Sequence, residues 1–236
     1  MAKILIPEFR RPVDGALYMF DKGFKVFPLK QNEKIPMVSG WQEWAVNATR
    51  KKIEDYGKAN ALSNWGVSCS ASNTFILDID DKPGKEGSKS LAPLLSTHGQ
   101  FPDTFVVHTA TKGRHIYFQG KGKNSASLIG KDLDTRGEGG YVVAPGSIID
   151  DGSYQIISVA PMAPTPNWLT SLLQENKKKA AVLTDEELVV EGSRNNTLAM
   201  IAGTLRRAGL NHSTILAALT EANETQLQVP LPQSEV

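Results

Sequence analysis

The stretch TFILDIDDKPGKEG, residues 74–87, decides how this chain is read. An apolar run, Phe75, Ile76 and Leu77, leads straight into Asp78, Asp80 and Asp81. Side chains alternate along a strand, so Asp78 and Asp80 share one face while Leu77 and Ile79 take the other. An ionised carboxylate in a buried strand costs several kcal/mol unless it is paired or bound to a metal. Two carboxylates at this spacing present oxygens about 6 to 7 Å apart, a separation suited to a hard divalent cation. The alternative is a strand that ends at Ile79, with the acids solvated at its mouth.

Two further segments bear on the choice. In KDLDTRGEGGYVVAPGS, residues 131–147, Asp134 follows apolar Leu133 on a short strand before the glycine-rich turn Gly137 to Gly140. Three carboxylates from two strands can hold Mg²⁺ or Mn²⁺ ions that polarise a phosphoryl group, although Asp before a turn is common for purely structural reasons. In TKGRHIYFQG, residues 111–120, alternation places His115 and Tyr117 on one face and Ile116 and Phe118 on the other. Gly113 would let a ligand approach the backbone. Lys112, Arg114 and His115 read as a donor cluster for a triphosphate, or as the basic solvent edge of a strand.

Composition narrows the class. The 236 residues, 40% apolar and 22% charged, suffice for one good core or for a medium domain plus a small one. One cysteine, Cys69, excludes a disulfide framework and a cysteine-rich zinc module, and fits a reducing, cytoplasmic setting. The opening MAKILIPEFRRP lacks the apolar region of a signal peptide, and no apolar run reaches membrane-spanning length. The formal net charge of +1 does not advertise a nucleic-acid binder.

Strand and helix signals mix through the first two thirds, and the last third is helical. Helical spacing runs from Val13 to Lys22, FKVFPL is a strand, and Thr49 is placed to cap RKKIEDYGK. WGVSCS, TFILDID, TFVVHTA, RHIYFQ, LDTRG, YVVAPGSII and SYQIIS read as strands, with a short helix KSLAPLLSTHG interrupted at Pro93. Asn167 is expected to cap WLTSLLQE, and Asn196 and Asn211 or Ser213 to precede two later helices. The expectation is an α+β fold: a domain over 1–175, a polar linker over 176–183, and a small helical domain over 184–236. Trp41, Trp44 and Trp65 could stack bases, with buried packing the expected role of at least two.

The order DID (78–80), GRHIYF (113–118) and LDTRGEGGYVVAPGS (133–147) resembles the three motifs of the primase-polymerases of the archaeo-eukaryotic primase superfamily, the type found in phages, plasmids and integrated elements. GFKVFPLKQNEKIPMVSGWQEWA, with its Lys34-Ile35-Pro36 turn, resembles the family's leading segment, and the likeness spans roughly residues 13 to 160. EGSRNNTL, LRRAG and the PLP segment near the end resemble the helical primase C-terminal domain that follows this core. The resemblance implies a small α/β unit from residues 1 to about 70 beside an RRM-like sheet carrying the motifs. Asp78, Asp80 and Asp134 would be the ligands of a two-metal site for Mg²⁺ or Mn²⁺, and His115 would contact the incoming NTP or dNTP. Lys112, Arg114, Arg136 and Lys34 would add phosphate contacts.

The implied activity is that of a DNA primase/polymerase acting on a single-stranded DNA template and a primer. In such relatives the chain often continues into a helicase domain. Two departures stand out: the second motif, usually a small hydroxyl or glycine, one residue, then His, carries glycine here as Gly113, so no serine assists the phosphate, and one cysteine cannot build the zinc-binding insertion of some relatives, so no zinc is expected. Lys121, Lys123 and Lys131 are candidates for template phosphates, and Arg206 and Arg207 either grip phosphates or favour a helix C-terminus. A non-catalytic RRM-like binding module would instead display exposed aromatics on central strands. A rolling-circle nuclease would need a second histidine near His115, which is missing. A different two-metal nuclease stays open.

Overall fold

The computed structural model describes residues 5–150, 152–181, 189, 194–233 and 235, with the backbone alone for 178–181 and 207. The chain divides into two compact units, Met1–Asn176 and Lys177–Val236.

The first unit opens with α1 (Pro12–Asp21). Proline at a first helical position costs no hydrogen bond, and Asp14 accepts from the Arg11 backbone N–H at 3.2 Å. Next come β1 (Val26–Leu29), α2 (Trp41–Val46), α3 (Arg50–Ala59) and β2 (Asn64–Ser68). Thr49 caps α3 as expected, its hydroxyl accepting from the Lys52 N–H at 3.2 Å. The strand β3 (Thr74–Ile79) leads into a ribbon of β4 (Asp81–Lys82) and β5 (Lys85–Glu86), then α4 (Gly87–His98). Pro93 does not interrupt α4. It lies on the exposed side, where the Lys89 carbonyl left without an amide donor is hydrated at low cost.

Further along lie β6 (Phe105–His108), β7 (Arg114–Gln119), β8 (Leu133–Arg136), β9 (Tyr141–Val143), the small pair β10 (Ile148–Ile149) and β11 (Gly152–Ser153), β12 (Gln155–Val159) and β13 (Ala163–Pro164). The main sheet runs β12-β6-β7-β3-β8, antiparallel at each of these junctions, with β13 paired parallel to β7. Its central order β6-β7-β3-β8 follows the β-α-β-β connectivity of an RRM-like sheet, with α4 linking β3 to β6. A three-stranded sheet, β1-β2-β9, forms beside it. The small unit is therefore not built from residues 1 to about 70 alone: β9, which lies within the third-motif segment 133–147, completes it by pairing antiparallel with β2.

Alternation sorts the core. Phe75, Leu77, Ile79, Ile116, Phe118 and Leu133 pack on one side with Leu91 of α4 and with Leu169 of α5 (Asn167–Ala181). On the other side Ile76 and Tyr117 join α1 and the small sheet. Trp65 is fully buried, Trp44 meets it edge-on at 5.8 Å, and Trp41 stacks on Phe27 at 4.4 Å. All three tryptophans thus serve packing.

Asn167 is the first residue of α5 rather than its cap, since the Pro166 carbonyl accepts from Leu169 and Thr170. The segment expected as a linker from 176 begins inside α5, whose Lys and Ala residues favour helix; residues 182 and 183 lie outside the described residues.

The second unit contains α6 (Arg194–Arg207) and α7 (His212–Thr225). Leu198, Ile201, Ala202 and Leu205 face Ile215 and Leu219, as the helical spacing requires. Asn211 caps α7, accepting from Thr214 N–H at 3.0 Å, whereas Asn196 sits within the first turn of α6 instead of preceding it. Buried Asn223 donates to the Leu231 carbonyl at 2.9 Å and accepts from its N–H at 2.8 Å, holding the PLP segment on α7.

Candidate active site

Asp78 occupies the middle of the main sheet, directly opposite His115 on β7 and Asp134 on β8. The strand period turns all three side chains away from the α4 face, because their neighbours Leu77, Ile79, Ile116 and Leu133 fill it. His115 Nε2 lies 3.5 Å from Asp78 Oδ1. The guanidinium of Arg136, two residues beyond Asp134 on the same face, lies 2.9 Å from Asp134 Oδ2 and 3.5 Å from Asp78 Oδ2. Asp134 Oδ1 also accepts from the Ser127 N–H at 3.0 Å.

A cavity of about 350 Å³ opens on this face, lined among others by Asp78, His115, Arg136 and Lys34. Lys34 arrives on the turn after β1, which is closed by the Lys30 N–H to Ile35 carbonyl bond and tied to β9 by the Tyr141 hydroxyl donating to the Lys34 carbonyl at 2.8 Å. His115 is 4% exposed. Burial pushes its pKa down, against the pull of Asp78, so the ring is neutral at pH 7. Its Nδ1 is buried and finds no hydrogen-bond partner among the described residues, so packing against Tyr154, 5.7 Å between ring centroids, orients the ring. Burial likewise raises the Tyr154 hydroxyl pKa.

The other expected residues are distributed differently. Asp80 falls just past β3, and its Oδ2 accepts from Lys85 Nζ at 2.6 Å, with Lys82 Nζ at 4.0 Å. Burial raises its pKa, but the Lys85 hydrogen bond and the charges of Lys85, Lys82 and Lys34 outweigh it and leave the carboxyl below its ordinary value. The donor cluster expected from Lys112, Arg114 and His115 is split. Arg114 takes the face opposite to His115, as its position one residue earlier dictates, and donates to Ser88 Oγ at 3.0 Å. Lys112 is exposed in the β6–β7 turn at φ +72°. Gly113 makes room for the chain itself: a Cβ there would fall 2.4 Å from the Ile79 carbonyl oxygen. Of the loop lysines, Lys123 pairs through its backbone with Glu138, while Lys131 borders a separate hollow described below. Arg206 is exposed near the end of α6; the Arg207 side chain lies outside the described residues.

Asn124, Tyr141 and Tyr154 also line the cavity and went unread in the sequence. Tyr141 follows the glycine-rich turn, a position that could have marked it; nothing local marks Asn124. Lys85 was legible in principle, because Pro83-Gly84 signals a tight hairpin that folds it back on Asp80.

The donor set fits a divalent ion. Asp78 and Asp134 face one another as hard oxygen ligands, with one cation, Arg136, already bridging them. Among the described residues no three His, Cys, Asp or Glu side chains form a ready cage, but Mg²⁺ is commonly held by one or two carboxylates together with substrate phosphates.

Comparison with known families agrees with this architecture. The family described as bifunctional DNA primase/polymerase, N-terminal (Prim-Pol), matches residues 16–168, and primase C terminal 1 (PriCT-1) matches residues 182–236. The chain belongs to the Prim-Pol family of bifunctional DNA primase/polymerases, and its function is of the DNA primase/polymerase type, in replication. None of the curated proteins matches it. Among the described residues no helix is long and apolar enough to cross a membrane.

Proposed function

We propose that this chain is a DNA-templated nucleotidyltransferase that synthesises or extends primers by two-metal phosphoryl transfer in phage, plasmid or mobile-element replication. The observation that carries the reading is the alignment of Asp134, Asp78 and His115 across three adjacent strands beside a cavity edged by Arg136 and Lys34. In the reaction a primer 3′-hydroxyl, or that of an initiating nucleotide, bonds to the α-phosphorus of an incoming NTP or dNTP, and pyrophosphate leaves.

Each residue has a part that follows from its position. Asp78 and Asp134 would hold Mg²⁺ or Mn²⁺, and Asp80 would join them when Lys85 is drawn to another anion. Bound divalent ions supply Lewis-acid polarisation of the phosphate and offset the charge that develops on the leaving group. Neutral His115 offers one N–H to a phosphate oxygen without competing as a cation for Asp78. Arg136 and Lys34 are cations on the cavity wall, suited to the triphosphate. Strands hold Asp78, Asp134, His115 and Arg136 more rigidly than loops would, which favours catalysis by positioning.

Extension of a labelled primer on single-stranded template, with Mn²⁺ or Mg²⁺, tests the reading. Template-directed lengthening is expected from the wild type and is lost in Asp78→Asn and Asp134→Asn. Products without primer would add priming. A strand that shortens would make the site a nuclease, and binding without either change would leave a non-catalytic module.

A further inference from the structure

A chain with a formal net charge of +1 exerts no general attraction on a polyanion, so a nucleic-acid strand must be held by local concentrations of cations. One such concentration lies outside the nucleotide cavity. In the β4–β5 ribbon, Lys82 stands directly opposite Lys85, and like charges so placed repel. Asp80 offsets them unevenly, at 2.6 Å from Lys85 but 4.0 Å from Lys82. Lys89 from the first turn of α4 and Lys131 from the loop before β8 border the same hollow, of about 490 Å³. Its two acids are engaged locally: Glu86 pairs with Lys89 at 2.6 Å, and Asp132 accepts from the Glu86 backbone N–H at 3.1 Å. Lys131 has no ion pair among the described residues.

We propose that this hollow binds the phosphodiester backbone of a single-stranded nucleic acid, beside Asp80 and apart from the cavity edged by Lys34, His115 and Arg136. Four lysines against Glu86, Asp132 and the neighbouring Asp80 leave one excess positive charge in a concave, open site. Lysine ammonium groups on flexible stems hold phosphates as point charges and read no base edges, so the site grips without sequence preference. Lys85 ties the site to the acid cluster: a phosphate that attracts Lys85 loosens its hold on Asp80. The inference rests on the primase/polymerase reading above.

The test compares wild type with a Lys82→Ala, Lys89→Ala, Lys131→Ala triple variant, leaving Lys85 on Asp80. A control triple, Lys22→Ala, Lys51→Ala, Lys58→Ala, removes the same charge elsewhere. Anisotropy of a labelled single-stranded oligonucleotide is followed across salt concentrations, and binding of a fluorescent nucleoside triphosphate is measured in parallel. For three lost single-strand contacts the slope of log K against log salt should fall by about two, with affinity at low salt weaker by roughly tenfold or more. Nucleotide affinity should hold, and the control should keep the wild-type slope.

An unchanged slope, or an equal loss in the control, overturns the proposal. Loss of nucleotide affinity with strand affinity intact also overturns it, assigning the hollow to a triphosphate. A wild type that extends primers while the triple variant keeps its slope sinks this inference alone. A wild type that needs these lysines to bind DNA yet never extends a primer sinks the polymerase reading alone.

Discussion

Replacing Arg136 with Met keeps the aliphatic stem and removes a cation shared by Asp78 and Asp134, at 3.5 and 2.9 Å. The Arg136 side chain is 36% exposed and the acids 19% and 25%, so the site is neither surface nor interior. Unit charges about 4 Å apart attract by about 4 kcal/mol at an effective dielectric of 20. Solvent-exposed pairs retain only about 0.2–1 kcal/mol of this, whereas breaking a buried pair costs roughly 3–5 kcal/mol. An intermediate loss of about 2 kcal/mol is expected, which at a urea slope of about 2 kcal/mol per molar lowers the unfolding midpoint by about 1 M.

The chain's four tryptophans, Trp41, Trp44, Trp65 and Trp168, all lie in the first unit, so their fluorescence follows that unit without interference from the second. Millimolar Mn²⁺ should recover most of the loss, because an ion bound only in the folded state stabilises it by mass action. Arg136→Met should therefore gain more from Mn²⁺ than the wild type does. A wild-type midpoint in the variant, or an equal gain in both proteins, refutes the shared-cation argument.

Three other outcomes are expected. Gly137→Ala places a Cβ 2.1 Å from the Gly122 carbonyl oxygen, a backbone clash that should lower stability by about 2 kcal/mol or more and weaken triphosphate binding, read by thermal unfolding and nucleotide titration; wild-type values in both would contradict the close approach. His115 has a folded pKa below its unfolded value of 6.5, so the unfolded chain binds its proton first, and the stability this gives is full above that pH and declines as pH falls through it; urea midpoints between pH 8 and 5 should fall less steeply for His115→Gln. Burial pushes the Cys69 thiol up to about 12, so iodoacetamide at pH 8 should modify it only in urea-unfolded protein, and rapid labelling of the native chain would contradict its burial.

Strand alternation made the centre of the site readable. Once 74–79 and 114–119 are strands, Asp78 and His115 must turn away from Leu77 and Ile116, and the structure places them so. The same rule separates Arg114 from His115, although proximity in sequence suggested a cluster. Asp80 was harder, since its surroundings depend on where β3 stops and on a hairpin whose lysines fold back over it. Nothing local tells the three residues of β9 to leave the main sheet, because their partner, β2, lies more than seventy positions earlier. Asn124 enters the cavity wall through loop packing, which leaves no periodic trace.

That long-range pairing of β9 has a temporal consequence. During synthesis the small sheet lacks its third strand until Tyr141 to Val143 have emerged, by which time the first two motifs and Asp134 have already been made. Closing so long a loop is slow compared with forming a neighbouring hairpin. The two sheets therefore have to mature together: a nascent chain stopped before β9 would leave the backbone N–H and C=O groups along one edge of β2 unpaired, and could offer neither the finished cavity wall nor a settled turn for Lys34.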